Sequence, residues 1–354
     1  MLRKLVKSIA WAAAFSIAFL SAQRLLTPKY ASGAYEGALA GEYYADEKRN
    51  QVIFIGDCEA YENFSPVRLW EGYGISSYIR GAPQQLIWQS RYVLEDTLRY
   101  ETPEVVALGV NSLMYAAPQG EAYNRLNLDG MRLSKHKIRA VLESMTEGES
   151  LISYIFPILR YHDRWSELSA DDFARFFPNR FAGHSGYAMR CDVLPTGIVP
   201  VGRPLADYRL GERCMGVLGD IADLCADRGI ALMLFKSPGI YPYWYPQWDG
   251  QVRAFAEERG IEYINLSSLA GEIGIDMAAD TYDGGLHMNV YGAEKLSDYV
   301  GAILAERYGL KDQRGDAEMR RIWDAKAEAY YSMRAAQISE FEQYGEVRTR
   351  TYAK

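Results

Sequence analysis

Histidine and cysteine are both scarce, with four copies of each among 354 residues. Cys58, Cys191, Cys214 and Cys225 form no CxxC pair and no His-rich spacing accompanies them, so neither a disulfide scaffold nor a zinc site is expected. Cys214 and Cys225 fall on one predicted helix, roughly 16 Å apart along its axis, beyond the ~7 Å Cα separation a disulfide can bridge. Positive charge is not in excess either. Against 39 Lys and Arg stand 46 Asp and Glu, for a net charge of −7, which argues against a nucleic-acid partner. Internal repeats and low-complexity tracts are absent. No cofactor and no metal are expected.

Tyrosine is abundant, with 27 copies beside 7 Trp and 12 Phe. Amphipathic rings suit sugar-contacting or interfacial surfaces, and equally a Tyr-rich surface with no ligand. The first thirty residues differ from the rest. Arg3, Lys4 and Lys7 precede "SIAWAAAFSIAFLSAQ", sixteen uncharged residues that end before Arg24. As a helix this run covers roughly 24 Å, against about 30 Å of hydrocarbon, and snorkelling Lys7 and Arg24 can close the gap. Residues 1–26 therefore read as a signal-anchor, with a cleaved signal peptide as the rival. The candidate cleavage site "LSA" carries a large residue where a small one is preferred. In either case the basic flank stays cytoplasmic and the body is exported.

Residues 27–50 read as a tether. Short apolar runs then alternate with helical patterns: strands at "QVIFIGD", "ISSYIRG", "PEVVALGVNS", "IALMLFK" and "IEYINL", with helices between them. Ser65-Pro66 is a helix start, Ser capping and Pro in the first position. Helices are also expected near 132–145, 150–168, 209–228, 247–259 and 291–308. This pattern predicts a three-layer α/β/α domain over 51–311, a doubly wound, mainly parallel five-stranded sheet, with a loop-and-helix insertion over about 112–210. Residues 312–354 read as a charged, peripheral or partner-facing helix.

Ligands of such sheets bind outside the carboxyl ends of the strands. Four features fall there: Gly56-Asp57-Cys58-Glu59 after the first strand, Gly81 after the second, "GVNS" (109–112) after the third, and "DTYDGGLHMNVYGAEK" (280–295) before the last long helix. Together they resemble the SGNH/GDSL hydrolase superfamily, and more closely its membrane-anchored bacterial branch related to DltD-like proteins, over about residues 45–310. "GDC" resembles the nucleophile block with Cys58 in the serine position. Gly81 resembles the second block, Asn111 the third with Ser112 in place of the acidic residue, and His287 the fourth. Gly284 stands three before His287, where the family has its acid, so the acid would be Asp283 or Asp280, with Gly284-Gly285 absorbing the extra residue.

The resemblance implies a nucleophile, a base and an orienting acid, Cys58, His287 and Asp283, with oxyanion donors from the Cys58 and Gly81 N–H groups and the Asn111 amide. A thiol beside a histidine at a helix start is expected to have a lowered pKa, with Asp57 and Glu59 opposing. Cys58 has an alternative as a small buried hydrophobe, and Asn111 and Gly81 have alternatives in turn geometry. His136 reads as part of a solvated basic face. Glu59, Lys236, Tyr243, Trp244 and Trp248 are candidate substrate contacts. The aromatics among them would line the cleft or pack beneath a loop, and Lys236 would meet an anionic group or snorkel. The expected function is an exported, membrane-tethered hydrolase or acyltransferase of acyl esters on a cell-envelope glycan or glycopolymer. The alternatives are an inactive glycan-binding or assembly protein, or an accessory to a membrane acyltransferase.

Overall fold

A computed structural model describes residues 1–27, 41–47, 49–174, 176, 184–197 and 199–348. Most of the expected tether lies outside that set. The centre is a five-stranded parallel sheet of β1 (Val52–Gly56), β2 (Ser77–Gly81), β3 (Val105–Gly109), β4 (Ala231–Lys236) and β5 (Glu262–Asn265). The strand order is β2-β1-β3-β4-β5, so the chain reverses direction across the sheet beside β1. Successive side chains of a strand point to opposite faces, and the sequence supplies apolar residues for both. Val52, Phe54, Val105, Ala107, Met233 and Phe235 face one core; Ile53, Ile55, Val106, Leu108, Leu232 and Leu234 face the other. This is the expected three-layer α/β/α architecture.

The first face is covered by the helices Pro66–Tyr73, Val290–Glu306 and Ala317–Tyr344. The second is covered by Ile87–Thr97, Lys135–Ser144, Glu212–Asp227 and Pro246–Arg259. Ser65 caps its helix through a bond from Arg68 N at 3.3 Å, with Pro66 at the first position. The expected helix over 150–168 is broken. Pro157 has no N–H to continue it, and the segment becomes Leu151–Ile155, Ile158–Tyr161 and a 3₁₀ turn at His162–Ser166.

The C-terminal helix corrects an expectation. Ala317–Tyr344 is not peripheral: Met319, Trp323 and Tyr330 are buried in the first core, and Trp323 stacks on Trp70 at 5.3 Å. Its stripe also buries Lys326, bonded to Asp46 at 2.8 Å and Ser185 at 2.7 Å. Those buried polar positions dilute the apolar pattern, which is why the helix reads as charged. Among the loops of the insertion, the stretch 184–196 touches the outer edge of β2 at Ser185, whose carbonyl accepts the Ile79 N–H at 2.9 Å, and then reaches residues 277–281 through Leu194 and Thr196.

Candidate active site

β1 ends in Gly56, and Asp57 turns the chain by accepting the Glu59 N–H at 3.1 Å, so that Cys58 opens the single helical turn Cys58–Tyr61. Close approach fixes the next feature. A Cβ at Gly81 would lie 2.9 Å from the Gly56 carbonyl and 3.2 Å from the Tyr61 ring, so a glycine there has a steric reason of its own. Asn111, after β3, is buried and donates from Nδ2 to Asp57 at 2.7 Å. The Nδ2 group carries a second hydrogen, and the Asn111 Oδ1 and Ser112 Oγ have no hydrogen-bond partner among the described residues.

His287 arrives from the far end of the sequence. Asp283 Oδ1 accepts the N–H groups of Leu286 at 3.1 Å and His287 at 2.9 Å, and its Oδ2 lies 2.6 Å from His287 Nδ1. Gly284 and Gly285 adopt positive φ of 80° and 105°, the freedom that lets the acid sit four residues before the histidine. Asp280 is elsewhere, buried and 2.6 Å from Lys295 Nζ. With Nδ1 committed to Asp283, Nε2 is the ring's remaining nitrogen, and the Cys58 thiol lies near enough to the ring for the two groups to shift each other's ionisation. Asn63 ties these segments together, accepting Met288 N–H at 2.9 Å and donating to Ser237 at 2.8 Å.

Three neighbours carry no motif and escape sequence reading. Glu62, one turn after Cys58, places Oε2 3.3 Å from His287 Nδ1. Tyr282 donates to Glu62 at 2.5 Å and stacks on the His287 ring at 6.1 Å. Tyr115 lies close enough to Asp57, Cys58 and Glu59 for their charges to raise its phenol, after burial, which is the larger cause. The i, i+4 spacing of Cys58 and Glu62 is the one signal that a reader of the sequence could have used. Glu62, Asp283 and His287 also offer three ligand atoms within 4.8 Å of one another, yet Nδ1 is already the donor to Asp283.

The ionisation of the pair departs from expectation. Burial pushes the Cys58 thiol up to about 12; His287 opposes this, and Asp57 and Glu62 add to it. The residue stays partly exposed, but the packing around the sulfur decides its proton. Burial by itself would lower the His287 imidazole. Glu62 first, and the Asp283 hydrogen bond with it, oppose that and hold the ring above its ordinary value.

Other candidates are placed differently from the sequence reading. Glu59 and Lys236 are 3% and 1% exposed and form an ion pair with each other, and Glu59 Oε2 also accepts Ser237 N–H at 3.2 Å. Neither presents a charge to solvent, because the turn after β1 packs against the end of β4. Tyr243, Trp244 and Trp248 pack with Tyr245, at centroid distances of 4.9 Å for Tyr243–Tyr245, 4.7 Å for Tyr245–Trp248 and 5.6 Å for Trp244–Trp248. Trp244 and Trp248 lean on the second core, while Tyr241 and Tyr243 remain exposed. His136 is not solvated; it is buried 2.7 Å from Glu95. A cavity of about 530 Å³ lies at the opposite end of the sheet, lined by Ile230, Ala231, Ile261 and Glu262 at the strand starts.

No family model matches the chain, and no curated protein matches it. Among solved structures, the chain is similar to a Bacteroides fragilis protein assigned as an acylhydrolase. The identity is 11%, with 76% of this chain and 95% of that one covered and a TM-score of 0.38. It is also similar to a GDSL-like lipase from Bacteroides thetaiotaomicron at 10% identity, with 77% and 98% covered and a TM-score of 0.37. Likeness at that distance says nothing of what this chain acts on.

Proposed function

We propose that the protein is an SGNH/GDSL-type enzyme, of the membrane-anchored DltD-like kind, that hydrolyses or transfers acyl esters with Cys58, His287 and Asp283. The observation that carries this is an imidazole whose Nδ1 is 2.6 Å from a carboxylate, with the Cys58 thiol near enough that each group shifts the other's proton affinity. In the reaction, Cys58 Sγ attacks the ester carbonyl carbon while its proton passes to His287 Nε2. Asp283 and Glu62 stabilise the imidazolium so formed. The carbonyl oxygen, now an oxyanion, takes donors from the Cys58 and Gly81 N–H groups and the second hydrogen of Asn111 Nδ2. The C–O bond breaks, the alcohol leaves with the proton from Nε2, and a thioester remains. Water or an acceptor hydroxyl then attacks, with His287 taking its proton and returning it to the sulfur.

The acyl carrier is a cell-envelope glycan or glycopolymer. The apolar N-terminal helix Leu2–Leu26, long enough to cross a membrane, supports an envelope location, and the exposed Tyr241 and Tyr243 support a sugar-contacting rim. The test is turnover of a nitrophenyl ester by the full chain in detergent. His287→Ala should lose about 10²–10⁴-fold and Cys58→Ala all turnover above background. Equal rates in wild type and both variants overturn the proposal.

One observation favours a second reading. A thiol pushed up to about 12 by burial, with Asp57 beside it, is a poor nucleophile at rest. On that reading the cleft binds glycan, or serves a membrane acyltransferase, without chemistry. Full glycan binding by Cys58→Ala, with no acyl-cysteine trapped in wild type by mass spectrometry, selects it.

A further inference from the structure

The segment 151–174 carries five large apolar side chains open to solvent: Ile152 (57%), Phe156 (41%), Leu159 (54%), Trp165 (72%) and Phe173 (58%). Soluble surfaces rarely gather so many in so short a stretch without a partner. Their position says what the partner is. The segment packs against the C-terminal part of the helix Leu2–Leu26: Phe156 meets Phe19 edge-on at 5.9 Å, Arg164 donates to the Leu26 carbonyl at 2.5 Å, and Arg24 reaches the Phe176 carbonyl.

Depth follows from helix geometry. Phe19 stands five residues before Arg24, roughly 7 Å further into the apolar run. If Arg24 marks the level where the helix leaves hydrocarbon, a ring packed on Phe19 lies below that level. Interfacial elements bury their apolar face by about 5–10 Å at the headgroup boundary, and Trp is the side chain favoured there.

We propose that residues 151–174 form a membrane-interface patch that sinks into the outer boundary of the bilayer beside the anchor helix. The patch fixes the tilt of the α/β domain on the lipid surface. The proposal rests on reading Leu2–Leu26 as membrane-spanning. The occupant is the lipid bilayer itself. Arg160 is paired with Glu121 and Arg164 with Asp172, so no surplus of positive charge makes it depend on anionic lipid.

The full chain in phosphatidylcholine nanodiscs tests this. In a Cys58→Ala background the other three cysteines are buried. Nitroxides are attached at Leu159→Cys, Trp165→Cys, Phe15→Cys and Tyr331→Cys, and their depths are read from oxygen against nickel-chelate accessibility. Labels at 159 and 165 should lie about 5–10 Å below the phosphates. The label at 15 should lie deeper, and the label at 331, on the C-terminal helix, in water. Aqueous values at 159 and 165 with an embedded 15 overturn the patch and leave the anchor standing. An aqueous value at 15 overturns both.

Discussion

Within the site, ionisation turns on one residue that no motif marks. His287 is held above its ordinary value by Glu62 and Asp283, so its ring keeps a proton to higher pH and cannot accept one from Cys58 until that proton leaves. Activity should therefore rise with pH through the raised value. Glu62→Gln removes one of the two carboxylates, lowers the ring's value and makes the base form available earlier. The acid limb of kcat/KM should move down by about 1 pH unit or more. A fall in kcat with an unmoved limb would assign Glu62 a packing role instead. The pair beneath Cys58 gives a second test. Lys236→Met removes the cation that holds down the Glu59 carboxyl, which burial already pushes up to about 7. Glu59 must then take a proton or stay a buried unpaired charge, and the variant should lose stability in urea unfolding, by at most about 3–5 kcal/mol. The double variant Glu59→Gln, Lys236→Met keeps an acceptor for the Ser237 N–H and should be the more stable of the two.

At the level of elements, the sheet is legible because its strands are apolar on both faces and bounded by turn residues. Each expected strand, from "QVIFIGD" to "IEYINL", coincides with β1 to β5, and the capped helix at Ser65-Pro66 starts where its chemistry says. Topology alone also puts the candidate residues at the carboxyl ends of the strands, on one end of the sheet. What the sequence hides are partners fixed only by tertiary packing. Glu59 and Lys236 look like two charges facing a substrate until the turn after β1 meets the end of β4. Trp244 and Trp248 fit a cleft lining and a packed cluster equally well until they lean on the second core, which is the packed alternative. The helix Ala317–Tyr344 is misread for a related reason, since Lys326 and Gln337 occupy its buried stripe. Trp323→Ala, which empties the stack on Trp70, should cost about 3–5 kcal/mol. Thermal unfolding of the full chain measures it, and a loss under 1 kcal/mol would return the helix to the periphery.

For the whole molecule, the proposed function depends on which side of the membrane the first helix leaves the α/β domain. Arg3, Lys4 and Lys7 precede the apolar run, and the proposed function keeps that flank in the cytoplasm with the α/β domain outside. An acyl ester on an envelope glycan is reachable only from there, so orientation and substrate class stand together. Proteinase K added to spheroplasts should destroy the domain, and inverted vesicles should protect it. Protection in spheroplasts with digestion in inverted vesicles would place the cleft in the cytoplasm and remove the glycan from the proposal. Recovery of the domain in the soluble fraction after osmotic shock, shortened by the first helix, would decide for the cleaved leader. Since the interface patch packs on Phe19, cleavage would also take away the helix that holds it at the bilayer.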